Sequence, residues 1–151
     1  MAYINVSADT SNATLQISTA TVATTSQGYI VPALQDVTIN NAAGVFNWTQ
    51  LDTFSQLAVP TPATNSITGN MVIDSTTFFT GSAGVPGLFS LQNEATKVYF
   101  RVYFNGRGSG AKYVSGEGYI TNLAPTVNPQ APVWVSPLTI SVDGDLTSGT
   151  V

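Results

Sequence analysis

Residues 97–104 read K-V-Y-F-R-V-Y-F, and no other stretch of the chain alternates so cleanly. Val98, Phe100, Val102 and Phe104 fall on one side, and Lys97, Tyr99, Arg101 and Tyr103 on the other, the period-two pattern of a half-buried strand. Burying the apolar side contributes roughly 1.5–3 kcal/mol per side chain as an upper estimate, so this strand belongs in the middle of a core. N-G-R-G-S-G (105–110) supplies a turn and Y-V-S-G-E-G-Y-I-T-N-L (113–123) a second strand. After a Pro-rich connection comes a third, with Leu138, Ile140 and Val142 inward and Thr139, Ser141 and Asp143 outward. Three consecutive strands form a stable sheet once a second layer covers their apolar face.

At 151 residues the chain is long enough for one core and is read as a single domain, 1–151. Charged residues are only 8% while hydrophobic residues reach 43%, so the polar part is mostly Thr, Ser, Asn, Gln and Gly. A surface with so few charges keeps copies apart poorly, which suits a subunit of an assembly better than a free enzyme. Eight acidic residues against four basic ones, net −4, remove the electrostatic basis for gripping nucleic acid. They are compatible with a surface past which DNA slides. The chain has no Cys, hence no disulfide or thiolate metal site, and no His, the commonest general base. Its start, M-A-Y-I-N-V-S-A-D-T, lacks the pattern of a signal peptide, and no apolar run is long enough to cross a bilayer. Synthesis and folding in the cytosol are expected.

Taken in order, residues 2–9 alternate through Ile4, Val6 and Ala8, and residues 13–18 through Ala13, Leu15 and Ile17. S-T-A-T-V-A-T-T-S-Q-G (18–28) is too polar to anchor itself, so residues 1–30 read as edge strands or an arm packing on something else, such as a neighbouring copy. Strands follow at 34–40, with Val37 and Ile39 inward, and at 45–51, which holds Phe46 and Trp48; N-N-A-A-G turns between them. Residues 52–65 contain P-T-P and no lasting period, and read as a long loop contacting another molecule. Residues 66–74 alternate again, with Ile67, Met71 and Ile73 inward. The one helix signal is P-G-L-F-S-L-Q-N-E-A (86–95), with Pro86 opening the first turn and Leu88, Leu91 and Ala95 sharing a side. The expected class is all-β, a sandwich or barrel of seven or eight strands with one short flanking helix.

Candidate chemistry is sparse. G-R-G-S-G is followed by a strand, so it reads as a hairpin turn and not as a phosphate loop, which needs a helix directly after it. Asp143 and Asp145 in D-G-D-L-T-S lack the later bidentate carboxylate of a calcium loop. No spacing among the eight acids favours a glycosidase pair. Trp48 and Trp134 suit packing better than a sugar platform, although a carbohydrate-binding β-sandwich using them with exposed tyrosines stays as an alternative. The sequons at 5–7, 12–14 and 47–49 are of the kind that chance produces in a Thr- and Ser-rich chain. Glu117 stands between two glycines on a strand, either as an exposed acid or as one lining a channel. No catalytic residue, cofactor or metal is assigned, and an enzyme is not expected.

The order of features resembles the major tail tube proteins of long-tailed, siphovirus-like bacteriophages, relatives of the inner-tube proteins of contractile tails and type VI secretion. The residues that carry the resemblance are a turn and Trp-containing segment before a long loop, M-V-I-D (71–74), P-G-L (86–88), K-V-Y-F-R-V-Y-F, a Gly-rich turn, the G-E-G strand and T-I-S-V-D-G-D-L-T. They span most of residues 34–150. The resemblance implies a virion protein that acts as a structural conduit for genome delivery, with six copies to a ring, rings stacked into a tube, and other tail proteins as partners. DNA would pass transiently, without specific binding, through a lumen that is typically acidic. Lumen-lining acids would then come from polar strand faces, here Asp36, Asp74, Glu117 and Asp143. The loop at 52–65 and the N-terminal arm would reach the next ring. A capsid-decorating or neck protein of the same particle is a further alternative.

Overall fold

A computed structural model describes residues 13–31, 34–52 and 54–151. Expectations for residues 1–12, including the alternation through Ile4 and Val6, lie outside the described residues.

Among the described residues there are eleven strands: β1 Thr14–Ser18, β2 Tyr29–Ile30, β3 Leu34–Asn40, β4 Gly44–Thr49, β5 Gln56–Thr61, β6 Ser66–Val72, β7 Val98–Tyr103, β8 Lys112–Leu123, β9 Thr126–Asn128, β10 Ala131–Val142 and β11 Thr147–Thr150. A π-helical turn, Thr76–Thr80, and helix α1, Leu88–Asn93, sit between β6 and β7. Nine strands form one antiparallel sheet in the order β2-β1-β7-β8-β10-β6-β3, with β11 beside β8 and β9 beside β10. One hydrophobic cluster joins Leu15 and Val31 at one end of that path to Ile67 and Met71 near the other, so the sheet closes round its own core.

The alternating strand is central, as its pattern requires. Val98, Phe100 and Val102 are fully buried, and β7 lies between β1 and β8. The glycines of G-E-G allow this packing. A Cβ on Gly118 would lie 2.0 Å from the Ser141 carbonyl oxygen, and one on Gly116 would lie 3.0 Å from the Phe100 ring. Further round, Ile120, Ile140, Ile67 and Ile39 stand opposite one another across β8, β10, β6 and β3, one inward row of β-branched side chains. Helix α1 covers the core with Leu88 and Leu91.

Several expectations need correction. Residues 52–65 are not one long loop: β5 spans Gln56–Thr61 and pairs with β4 as a separate two-stranded sheet. Leu57, Val59 and Thr61 alternate there despite Pro60, because a strand with a free edge tolerates a missing N–H. The polar segment at 18–28 anchors on its own chain, and β1 lies inside the sheet between β2 and β7. Gln16 Nε2 donates to the carbonyl of Thr24 at 3.1 Å and to that of Gln27, while an Arg101 N–H donates to the carbonyl of Val22 at 2.5 Å. Tyr103, expected outward, is therefore fully buried beneath this segment, and its hydroxyl donates to Gln16 Oε1 at 2.5 Å. Phe104 lies beyond the end of β7 and is half-buried. The helix starts at Leu88 after the cap residue Gly87, so Pro86 precedes it, and Ala95 follows it with φ 51°.

Candidate functional site

The polar face of the sheet is built by the register of its strands. Alternate residues of β3, β6, β10 and β8 point away from the core, which places Thr38, Thr68, Thr139 and Asn122 opposite one another in an outward row next to the isoleucine row. Asp36, Glu117 and Asp143 belong to the same outward side. Asp36 is opposite Asn70, whose Nδ2 donates to Asp36 Oδ2 at 2.8 Å. Glu117 and Asp143 come together because Val142 pairs with Gly118 and the Asp143 N–H donates to the Glu117 carbonyl at 2.7 Å. Between them stands Lys97, its Nζ 2.7 Å from Asp143 Oδ2 and 3.2 Å from Glu117 Oε1. Hydrogen bonds to Asp143 first and Glu117 second hold its ammonium well above the ordinary lysine range. Lys97 offsets one of these three acids, and Arg101 of β7 lies on the same outward side as Glu117.

Asp74 takes a different place, just beyond the end of β6. Its carboxylate accepts from the Thr77 N–H at 3.2 Å and from the Thr77 hydroxyl, closing the start of the π-helical turn. Nearby, Tyr29 donates from its hydroxyl to the Pro86 carbonyl at 3.1 Å; burial, with the Asp74 charge second, pushes its phenol far up.

All four basic residues are held within their own chain. Lys97 is paired, Arg101 lies 4.2 Å over the Tyr113 ring, an Arg107 N–H donates to the Thr25 carbonyl at 3.2 Å, and Lys112 Nζ donates to Thr150 Oγ1 at 2.6 Å. Among the described residues, each basic side chain is thus engaged by the chain itself.

Apolar exposure forms a second kind of site. The β4–β5 hairpin makes its only extensive element contact, among the described residues, between its own two strands. Register puts Phe46, Trp48, Leu57 and Val59 on one side, with Phe46 and Trp48 stacked at 6.1 Å. At its tip Leu51 and Phe54 are fully exposed. Trp134 lies elsewhere, its carbonyl accepting from the Ile73 N–H at 2.9 Å at the far end of β6, so the two tryptophans form no common platform. There a pocket of about 250 Å³ is lined by Ile73, Phe78, Phe79, Pro125 and Trp134. Sequence reasoning missed this pocket, and it reached the hairpin tip only as part of a loop at 52–65 contacting another molecule. The absence of any charge between Asp52 and Asp74 was the available signal.

No family model and no curated protein matches this chain. Among solved structures it is similar to a chain in the tail of an empty GTA particle, computed with helical refinement and C6 symmetry, at TM-score 0.61 and 16% identity over 88% of this chain and 93% of that one. It is also similar to a chain in the virion of a native gene transfer agent (GTA) particle, at TM-score 0.52 and 16% identity over 80% of this chain and 88% of that one. The chain therefore shares the all-β fold of these GTA tail and virion chains, in line with the fold that its sequence resemblance implies.

Proposed function

We propose that this protein is a structural, non-enzymatic subunit of a phage tail tube, with six copies to a ring and rings stacked into a conduit for genome delivery from the virion. The observation that carries the reading is the hairpin of β4 and β5, which stands off the body with apolar side chains on both sides and only Asp52 charged. A lone two-stranded hairpin is marginal in water, so this one needs a partner surface. The fold likeness to a tail chain from a C6-symmetric particle supports the same reading.

The outward face of β3, β6, β10 and β8 is the proposed lumen wall. It offers passing DNA hydroxyls and the acids Asp36, Glu117 and Asp143, which repel phosphate and keep Lys97 engaged. Asp74 would contribute only at the margin, since its carboxylate caps a turn. Sister copies, other tail proteins and transient DNA are the partners. Negative-stain microscopy of the purified protein tests the reading. Hollow tubes or six-membered rings are expected, and single molecules persisting at high concentration would overturn it.

A further inference from the structure

Large apolar side chains that are exposed among the described residues cluster at two ends of the molecule. Of thirteen, six belong to the β4–β5 hairpin and its tip; at the other end Phe79 and Trp134 line the pocket, with the Phe89 ring 6.5 Å from that of Phe79. Strand β6 runs from one cluster to the other: the hairpin leaves beside the Asn40–Ser66 pair, whereas the pocket opens beside the Val72–Val135 pair. Six paired residues carry the tip about 20 Å from the body, away from the chain's own pocket.

We propose that Leu51 and Phe54 at the hairpin tip of one copy seat in the pocket of Ile73, Phe78, Phe79, Pro125 and Trp134 on a second copy, head to tail. This rests on the tail-tube reading for the direction in which copies stack. Knob and hole match in chemistry. The pocket wall is almost wholly apolar, and Phe78 and Phe79 meet edge to face at 4.8 Å, which offers an incoming ring the geometry aromatic groups prefer. A second copy is the occupant because each chain carries both halves at opposite ends and cannot join them itself. Such a contact is heterologous and repeats without using up either end.

The absence of cysteine from the chain makes the test clean. Phe54→Cys and Phe79→Cys, both at exposed positions, are prepared separately, mixed and bridged with a short bis-maleimide. A covalent pair is expected in the mixture and in neither protein alone. Phe54→Ser is expected to raise the concentration at which tubes appear by about tenfold or more. Tubes of the unaltered protein, with no 54–79 link and no shift for Phe54→Ser, would overturn the docking while leaving the tube standing. Links without tubes would uphold the docking and overturn the tube, and neither links nor tubes would overturn both.

Discussion

Tyr103 and Gln16 are both fully buried, and each is the other's partner: the phenol donates to Gln16 Oε1 while the amide nitrogen reaches the carbonyls of residues 24 and 27. Tyr103→Phe keeps the ring and strands that oxygen, so it is expected to cost about 1–3 kcal/mol, read as a lower denaturation midpoint with unchanged slope. Tyr29 makes a second prediction. Its phenol ionises at the ordinary value of 10.0 in the unfolded chain but resists ionisation when folded, so the unfolded state loses its proton first and stability falls as pH rises above 10.0. Lys97 acts in the same sense: its bracket of carboxylates stabilises the charged form, a contribution present below its ordinary value of 10.5 and lost as pH rises through the folded one. Melting temperature is expected to drop as pH rises above about 10, and Tyr29→Phe should flatten part of that drop.

At the level of elements, the inward rows and the free hairpin differ in what holds them. Ile140 sits at the centre of the isoleucine row with no exposure, and Ile140→Ala is expected to cost about 2–5 kcal/mol, measured by denaturant melts. The hairpin has no such support, so its amides should exchange with solvent far faster than those of β7 in the single molecule and become protected on assembly. Hydrogen exchange followed across the assembly concentration checks this. The contrast also explains what was legible in the sequence. Strands such as β7 and β3 show their inward side by period two because a single face is buried. Tyr103 departs from the alternation because its hydroxyl is taken by Gln16, itself held by the carbonyls of residues 24 and 27, a partnership far along the chain that local alternation does not encode. The pairing of β5 was hidden by Pro60. Of the candidate acids, Asp36 and Glu117 stand on outward strand positions and Asp143 one residue past the end of β10, and the meeting of the last two at Lys97 depends on how β8 pairs with β10.

For the whole molecule, few charges and their placement decide behaviour towards DNA. Replacing Asp36, Glu117 and Asp143 together by Lys changes the net charge from −4 to +2, since each exchange adds two units to the total. Tubes of that variant are expected to retain double-stranded DNA at low salt and release it steeply as salt rises, whereas unaltered tubes retain none. Asp36→Lys alone avoids the Lys97 bracket and should move retention in the same direction.

The hairpin at one extremity of β6 and the hollow at the other give any filament of these chains a polarity. One terminus would present fingers and the opposite terminus empty sockets, so growth, initiation and arrest at the two termini demand chemically different partners. A soluble peptide copying residues 50–55 would therefore silence one terminus and leave the other growing.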